Sequence, residues 1–128
     1  MIPWKVWKCV AWDATCVDTF APTYLPFTSS TAGAAASKAE DRKVIKYTCL
    51  MDEFHFVPVA FETFGPWGNQ AKAFLSTIGR KITDHTGEKR ASAFLFQRLS
   101  IAIQRGNAAS ILGTIPKSAA LDEIFLLV

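Results

Sequence analysis

The pattern of apolar and polar residues near the start of the chain predicts a strand. Residues 9–17, CVAWDATCV, form an apolar run rich in Val, Trp, Thr and Cys, with polar residues on either side. Such a run favours a buried strand. Asp13 is the carboxylate within it. Because an ionised carboxylate in apolar surroundings requires a cation or hydrogen-bond donors, we expect Asp13 to have a specific partner.

A helix is predicted after a loop over residues 18–33, which is rich in Pro, Thr and Ser. Residues 36–50 contain good helix formers and no internal Gly or Pro. At about 100° per residue, five of them share one face: Ala36, Ala39, Lys43, Tyr47 and Leu50. Lys43 interrupts this stripe, Lys46 flanks it, and Glu40 falls on its rim. The strand carboxylate and the helix lysine are therefore predicted to converge.

The middle of the chain predicts a second strand and a second helix. Residues 54–62 are apolar on both faces, which is typical of a strand covered by helices, and Pro58 favours a sheet edge or a bulge. Apolar residues then recur at spacings of three and four from Trp67 to Ile82, and Gly87 lies near the expected end. We expect this segment to be an amphipathic core helix.

The last predicted helix begins at residue 91 and is apolar over more than half of its circumference. We expect it to be buried on several sides until Gly106 and Asn107 stop or bend it. The order strand, helix, strand, helix, helix predicts an α/β sandwich in which helices flank a small mixed sheet. Because two strands make a small sheet for this much helix, we expect the fold to be truncated at its N-terminus.

Composition and charge set the outer limits. The chain has 128 residues, of which 50% are hydrophobic and 20% are charged, and this composition fits one globular domain. We place the domain at residues 1–116 and a tail at 117–128, which either caps the core or is unrelated sequence. A net charge of +3 permits a nucleic-acid partner without requiring one. Three cysteines without a CxxC pair, together with the lack of a signal peptide or a long apolar stretch, predict an intracellular protein without a membrane segment.

Two short motifs suggest a family. Residues 12–15, WDAT, and residues 43–47, KVIKY, resemble motifs of the PD-(D/E)XK (restriction-endonuclease-like) domain beside the reverse transcriptase in non-LTR retrotransposon proteins. In that family an acid followed by x-Thr or x-Lys ends a central strand, and a KxxKY helix returns lysines to the same site. The resemblance covers roughly residues 3–112. It implies a restriction-endonuclease-like fold, DNA as partner, Mg²⁺ or Mn²⁺ as cofactor, a reverse transcriptase domain in a longer parent protein, and a nuclear location.

The resemblance also implies roles for individual residues. Phosphodiester hydrolysis uses divalent cations held by oxygen ligands to polarise the phosphate. By this comparison Asp13 and Glu62 are metal ligands, Asp13, Lys43 and Lys46 are catalytic, and Thr15 and Tyr47 are supporting residues. Thr15 stands where the usual motif has its lysine, and Lys43 would take its place. The family's first acid, which precedes the second, is absent from the chain, so Asp18, Glu40 or Glu62 would have to substitute for it.

Two functions remain open from the sequence, beside a third possibility, a degenerate element-derived chain with no selected activity. One is a mobile-element-derived endonuclease-like domain, in which the intact ancestor hydrolysed DNA with a metal ion. The other is a non-catalytic scaffold that binds nucleic acid or another partner. Each site residue also has a structural alternative. A strand Asp is often bonded to backbone N–H groups or to a Trp indole, and a lysine at a helix edge often extends its head to solvent.

Overall fold

The computed structural model describes residues 8–114, and these form a mixed α/β structure. The elements are β1 (Val10–Val17), α1 (Leu25–Thr28), α2 (Ala34–Lys46), β2 (His55–Glu62), α3 (Asn69–Thr86) and α4 (Ala91–Thr114). A short 3₁₀ turn, Thr48–Leu50, follows α2. The α/β class, both predicted strands and the three predicted helices are confirmed. The expected tail at 117–128 and the domain end at 116 lie outside the described residues.

The two strands form a parallel pair in which Asp13 lies opposite Pro58 and Val17 lies opposite Glu62. Helix α2 is the crossover between them, and it packs Ala36 and Ala39 on one face of the pair, against Ala60 and Val17. Helices α3 and α4 lie on the other face, mainly over β2. In the described part of the chain the sheet is parallel, where the sequence analysis expected a small mixed sheet.

Strand β2 is covered on both faces, as its apolar sequence predicts. Residues 56–60 are all buried. The N–H group of His55 donates to the carbonyl of Cys9, just before β1, and the N–H group of Thr63, just after β2, donates to the carbonyl of Val17. Because alternate N–H groups of a strand point to opposite sides, the nitrogen of Pro58 falls on the side away from β1. The expectation that Pro58 marks a sheet edge is therefore confirmed.

Strand β1 differs from the prediction of a buried strand. Its residues alternate between half-buried and exposed, and Trp12 is 60% exposed. Within the described residues β1 has one neighbouring strand, and part of its α3/α4 face is uncovered. An apolar sequence indicates that a strand can be buried. Whether it is buried depends on the helices or strands that pack against it.

Helix α3 follows its predicted pattern. Ala71, Phe74 and Leu75 are buried against Val57 and Val59 of β2. The helix ends where Gly87 adopts φ of +75°, a left-handed conformation that favours glycine, and its N–H donates to the Thr83 carbonyl at 2.8 Å. The predicted helix end at Gly87 is thus confirmed.

Helix α4 corrects two expectations. It continues through Gly106 to Thr114 without a stop, and Ala91 is its single buried residue. Ile101 and Ile111 are 56% and 62% exposed. A lone glycine costs a helix only about 1 kcal/mol, so Gly106 alone is a weak terminator. Apolar content over most of the circumference predicted burial on several sides, but in the described structure α4 packs mainly on α3.

Candidate functional site

Asp13 and Lys43 are in contact. The Lys43 ammonium donates to Oδ2 of Asp13 and the two form an ion pair. Asp13 lies on the face of β1 that carries α2, and Lys43 comes from the last turn of that helix. The side chains are 31% and 24% exposed, respectively. The convergence predicted from helix periodicity is confirmed, and the pair is accessible to a ligand.

The surroundings of Asp13 favour its ionised form. The hydrogen bond from Lys43 lowers the pKa of Asp13 most, and the Lys43 charge, the polar Tyr47 side chain and the Lys46 charge act in the same direction. Partial burial opposes them but does not prevail. Asp13 is therefore an anion at neutral pH. Among the described residues its hydrogen-bond donor is the Lys43 ammonium of α2, rather than a backbone N–H group or the Trp12 indole.

Tyr47 links the two lysines to the sheet. It caps the C-terminus of α2, and its ring packs on Phe56 with the centroids 5.0 Å apart. The ammonium of Lys46 lies 5.1 Å from the ring centroid and that of Lys43 lies 5.9 Å from it. These distances fit cation–π contacts. Tyr47 therefore holds both ammonium groups close to Asp13.

Thr15 lies beside this cluster without joining it. Two residues after Asp13, it projects to the same face of β1. No hydrogen bond connects its hydroxyl to Asp13 or Lys43 in the described structure. The structure thus brings together Asp13, Lys43, Lys46 and Tyr47, with Thr15 as a neighbour on the strand.

Glu62 lies apart from this site. Asp13 is opposite Pro58, and Glu62 follows Pro58 by four residues, or about 13 Å along a strand. Its side chain is fully buried. Oε1 accepts hydrogen bonds from the N–H groups of Ala35 at 3.0 Å and Ala36 at 3.3 Å, while Oε2 has no partner among the described residues. Glu62 therefore acts as an N-terminal cap for α2.

Glu40 is also buried, which corrects its expected place on the rim of α2. Its Oε1 accepts hydrogen bonds from Ala71 N–H at 2.8 Å and Ala60 N–H at 3.4 Å, and its Oε2 accepts one from Gln70 N–H at 2.9 Å. Desolvation raises the pKa of Glu40 although these three bonds oppose the shift. Glu40 caps α3 and satisfies an N–H on the open edge of β2. The sequence contained a signal for this burial. Glu40 lies four residues after Ala36 and three before Lys43, and both of these residues are on the predicted core-facing stripe.

The cluster around Asp13 has too few oxygen ligands to bind a divalent ion by itself. Mg²⁺ prefers six oxygen ligands in a near-octahedral arrangement. Asp13 is the carboxylate of the cluster, and Lys43 already binds one of its oxygens. Within residues 8–114 no three His, Cys, Asp or Glu side chains are grouped to hold a metal ion. The described residues alone therefore do not fit Mg²⁺ or Mn²⁺.

The opposite face of the sheet offers a different kind of surface. A groove of about 500 Å³ lies between the strand ends and α4, lined by residues such as Cys16, Phe61 and Ile103. The described residues that line it include no charged side chain. The groove suits an apolar group rather than a phosphate. No helix in the described part of the chain is long and apolar enough to span a membrane.

Comparison of the chain with protein-family models, with curated proteins and with solved structures finds no match. The resemblance to the endonuclease-like domain therefore rests on the two motifs at residues 12–15 and 43–47.

Proposed function

We propose that this chain is a restriction-endonuclease-like domain, derived from a mobile element, that binds DNA phosphates beside the Asp13–Lys43 pair. The observation that supports the proposal is the contact between these two side chains. They belong to two motifs of the resemblance, and α2 brings them to one exposed point of the sheet. Two further groups of the KxxKY motif, Lys46 and Tyr47, lie at the same point.

Each residue has a physical role in this proposal. Lys46 is exposed, and its ammonium contacts a phosphate oxygen as a point charge. Lys43 shares its protons between Asp13 and a second phosphate oxygen, since an ammonium has three donors. Asp13 and the Tyr47 ring fix the position of Lys43, which reduces the side-chain entropy lost on binding. DNA affinity arises mainly from such phosphate contacts.

Metal-dependent cleavage of DNA is the second candidate. It is favoured by the ionised state and accessibility of Asp13, the residue that the resemblance makes a metal ligand. Mg²⁺ or Mn²⁺, where bound, would polarise the phosphate. Because the cluster supplies a single carboxylate, Asp13, the remaining ligands would be oxygens of DNA and water. A nuclear location and a reverse transcriptase domain in a parent protein belong to the same proposal.

Two assays test these candidates. In the first, fluorescence polarisation measures the affinity for labelled DNA without divalent ions, for the unaltered chain, Lys46→Ala and a charge-matched control, Lys89→Ala. Lys89 is exposed in the connection between α3 and α4, the helices on the face of the sheet opposite α2. The proposal predicts a several-fold loss for Lys46→Ala and none for Lys89→Ala. Equal losses in both variants would contradict it.

The second assay follows nicking of supercoiled plasmid in Mg²⁺ or Mn²⁺ by the unaltered chain and by Asp13→Asn. Nicking that is lost in the variant would establish the second candidate. If neither protein nicks the plasmid while the Lys46-dependent binding is present, the chain is a DNA-binding domain without hydrolytic activity.

A further inference from the structure

Helix α2 carries a row of cations that extends away from the Asp13–Lys43 pair. Lys38, Arg42 and Lys46 recur every fourth residue, so they lie along one side of the helix with a rise of about 6 Å between neighbours. We call these three residues the cation row. None of them forms an ion pair within residues 8–114, so their charges are available to an anionic partner.

Each member of the row is held over an aromatic ring. The ammonium of Lys38 lies 3.6 Å from the centroid of Phe27, the guanidinium of Arg42 lies 5.3 Å from that of Tyr24, and Lys46 lies 5.1 Å from that of Tyr47. Arg42 also donates to the Tyr24 hydroxyl at 2.8 Å. These contacts restrict long, flexible side chains in the free protein. The cation row is therefore partly preorganised.

The Lys38 end of the row adjoins exposed aromatic rings. Phe20, Phe64 and Phe27 are 58%, 66% and 44% exposed, and we call them the aromatic patch. The rings of Phe20 and Phe64 meet edge to face, 4.7 Å apart. Thr28, next to Phe27, donates to the carbonyl of Thr19, next to Phe20, at 2.9 Å. The patch thus lies where both strands end, beside the start of α2.

We infer that the preferred ligand of this surface is single-stranded nucleic acid, and this inference rests on the proposed function. The cation row follows the phosphate backbone, and bases stack on the aromatic patch. Exposed aromatic side chains beside a line of cations are the elements of single-strand recognition, because every base presents a π-face. In a duplex the bases are already stacked on one another, so the aromatic patch gains nothing from duplex DNA.

Three carboxylates lie near this surface and oppose an anionic partner: Asp13, which is paired with Lys43, Asp18 and Asp41. Asp41 is exposed and adjacent in sequence to Arg42. It lies about 100° around the helix from Arg42, on a different face. Asp18 is exposed beside the aromatic patch, where its carboxylate accepts a hydrogen bond from the Phe20 N–H at 3.0 Å. With Lys43 included, the surface presents four cations against Asp13, Asp18 and Asp41, so its net charge remains positive.

The test compares a labelled oligothymidine of roughly 16 nucleotides, at the upper end of known site sizes, with a duplex of the same length at matched salt. The variants are Phe20→Ala and Phe64→Ala, with Phe94→Ala as control. Phe94 is 45% exposed on α4 and lies outside both the cation row and the aromatic patch. Circular dichroism verifies that each variant is folded. We expect all three variants to fold, because the replaced side chains are exposed.

We expect the single strand to bind more tightly than the duplex. Phe20→Ala and Phe64→Ala should each weaken single-strand binding by about tenfold and leave duplex binding unchanged, whereas Phe94→Ala changes neither. Equal or tighter binding of the duplex, or full single-strand affinity in both patch variants, would overturn the inference. In that case the proposed function survives if Lys46→Ala still weakens DNA binding, and it fails together with the inference if neither nucleic acid binds.

Discussion

Asp13 on β1 and Lys43 on α2 are 30 residues apart in the sequence and form an ion pair on the face of the sheet that carries α2. The crossover geometry produces this contact. Helix α2 runs back along the sheet from its N-terminal cap at the end of β2, so its last turn reaches the middle of β1. Because the pair is about one quarter to one third exposed, we expect it to contribute little to folding, about 0–1 kcal/mol. Its position therefore bears on binding more than on stability.

Replacing Asp13 by Asn separates these two contributions. We expect the free energy of unfolding to change by less than about 1 kcal/mol. Without divalent ions, the affinity for DNA should rise a few-fold, since a negative charge beside the phosphate is removed and Lys43 is released toward it. Urea unfolding and fluorescence polarisation in EDTA measure the two quantities. Weaker binding by Asp13→Asn would contradict this prediction, because it would show that the positioning of Lys43 by Asp13 outweighs the repulsion between Asp13 and the phosphate.

Substitutions of Glu62 test whether it is a cap or a metal ligand. Glu62→Ala removes the acceptor of two N–H groups at the start of α2, and it should lower the unfolding free energy by about 2–4 kcal/mol. Glu62→Gln keeps a carbonyl oxygen for these bonds and should cost less than the alanine variant. Urea unfolding of both proteins measures the difference. A folded Glu62→Gln protein that loses a metal-dependent nicking activity would instead identify Glu62 as a ligand.

Gly68 and Glu40 should be energetically coupled. A Cβ atom built on Gly68 overlaps the Glu40 carboxylate, which caps the helix that follows. Gly68→Ala is therefore expected to destabilise the protein by about 1–3 kcal/mol, as overpacking of a core typically does. In the background of Glu40→Ala the same substitution should cost much less. A double-mutant cycle by urea unfolding gives the coupling, and additive effects would contradict the contact.

The buried Glu40 should give the protein a characteristic dependence on pH. Its folded-state pKa is raised above the ordinary value of 4.5. The folded protein thus holds the proton more tightly than the unfolded chain, and the stabilisation this provides is complete below 4.5 and is lost as the pH rises through the raised pKa. The unfolding free energy of the unaltered protein minus that of Glu40→Gln should therefore decrease as the pH rises through this range. An increase would mean that the three N–H bonds outweigh desolvation.

Some elements could be predicted from the sequence because their local signals agree with their packing. Residues 54–62 are apolar on both faces and form a strand covered on both faces, and Gly87 ends α3 as a left-handed residue. Helix periodicity also placed Lys43 on the face that meets the sheet. These predictions depend on residues close together in the chain.

The remaining features depend on partners that periodicity does not specify. The apolar surface of α4 predicted burial, but the described structure does not cover Ile101 or Ile111. Glu40 and Glu62 looked like surface or site carboxylates, although each binds N–H groups at the start of a helix distant in sequence. A buried acid that caps a helix cannot be distinguished from a metal ligand until the helix termini are placed.

The salt dependence of DNA binding tests the central claim most directly. A protein that neutralises phosphates with lysines releases counterions, so each lost contact lowers the slope of log affinity against log salt by about one. We predict that the double variant Lys43→Ala/Lys46→Ala loses about two from this slope and binds more weakly at every salt concentration, whereas Lys89→Ala matches the unaltered protein. A double variant with the same slope and affinity as Lys89→Ala would show that DNA does not bind at the Asp13–Lys43 site.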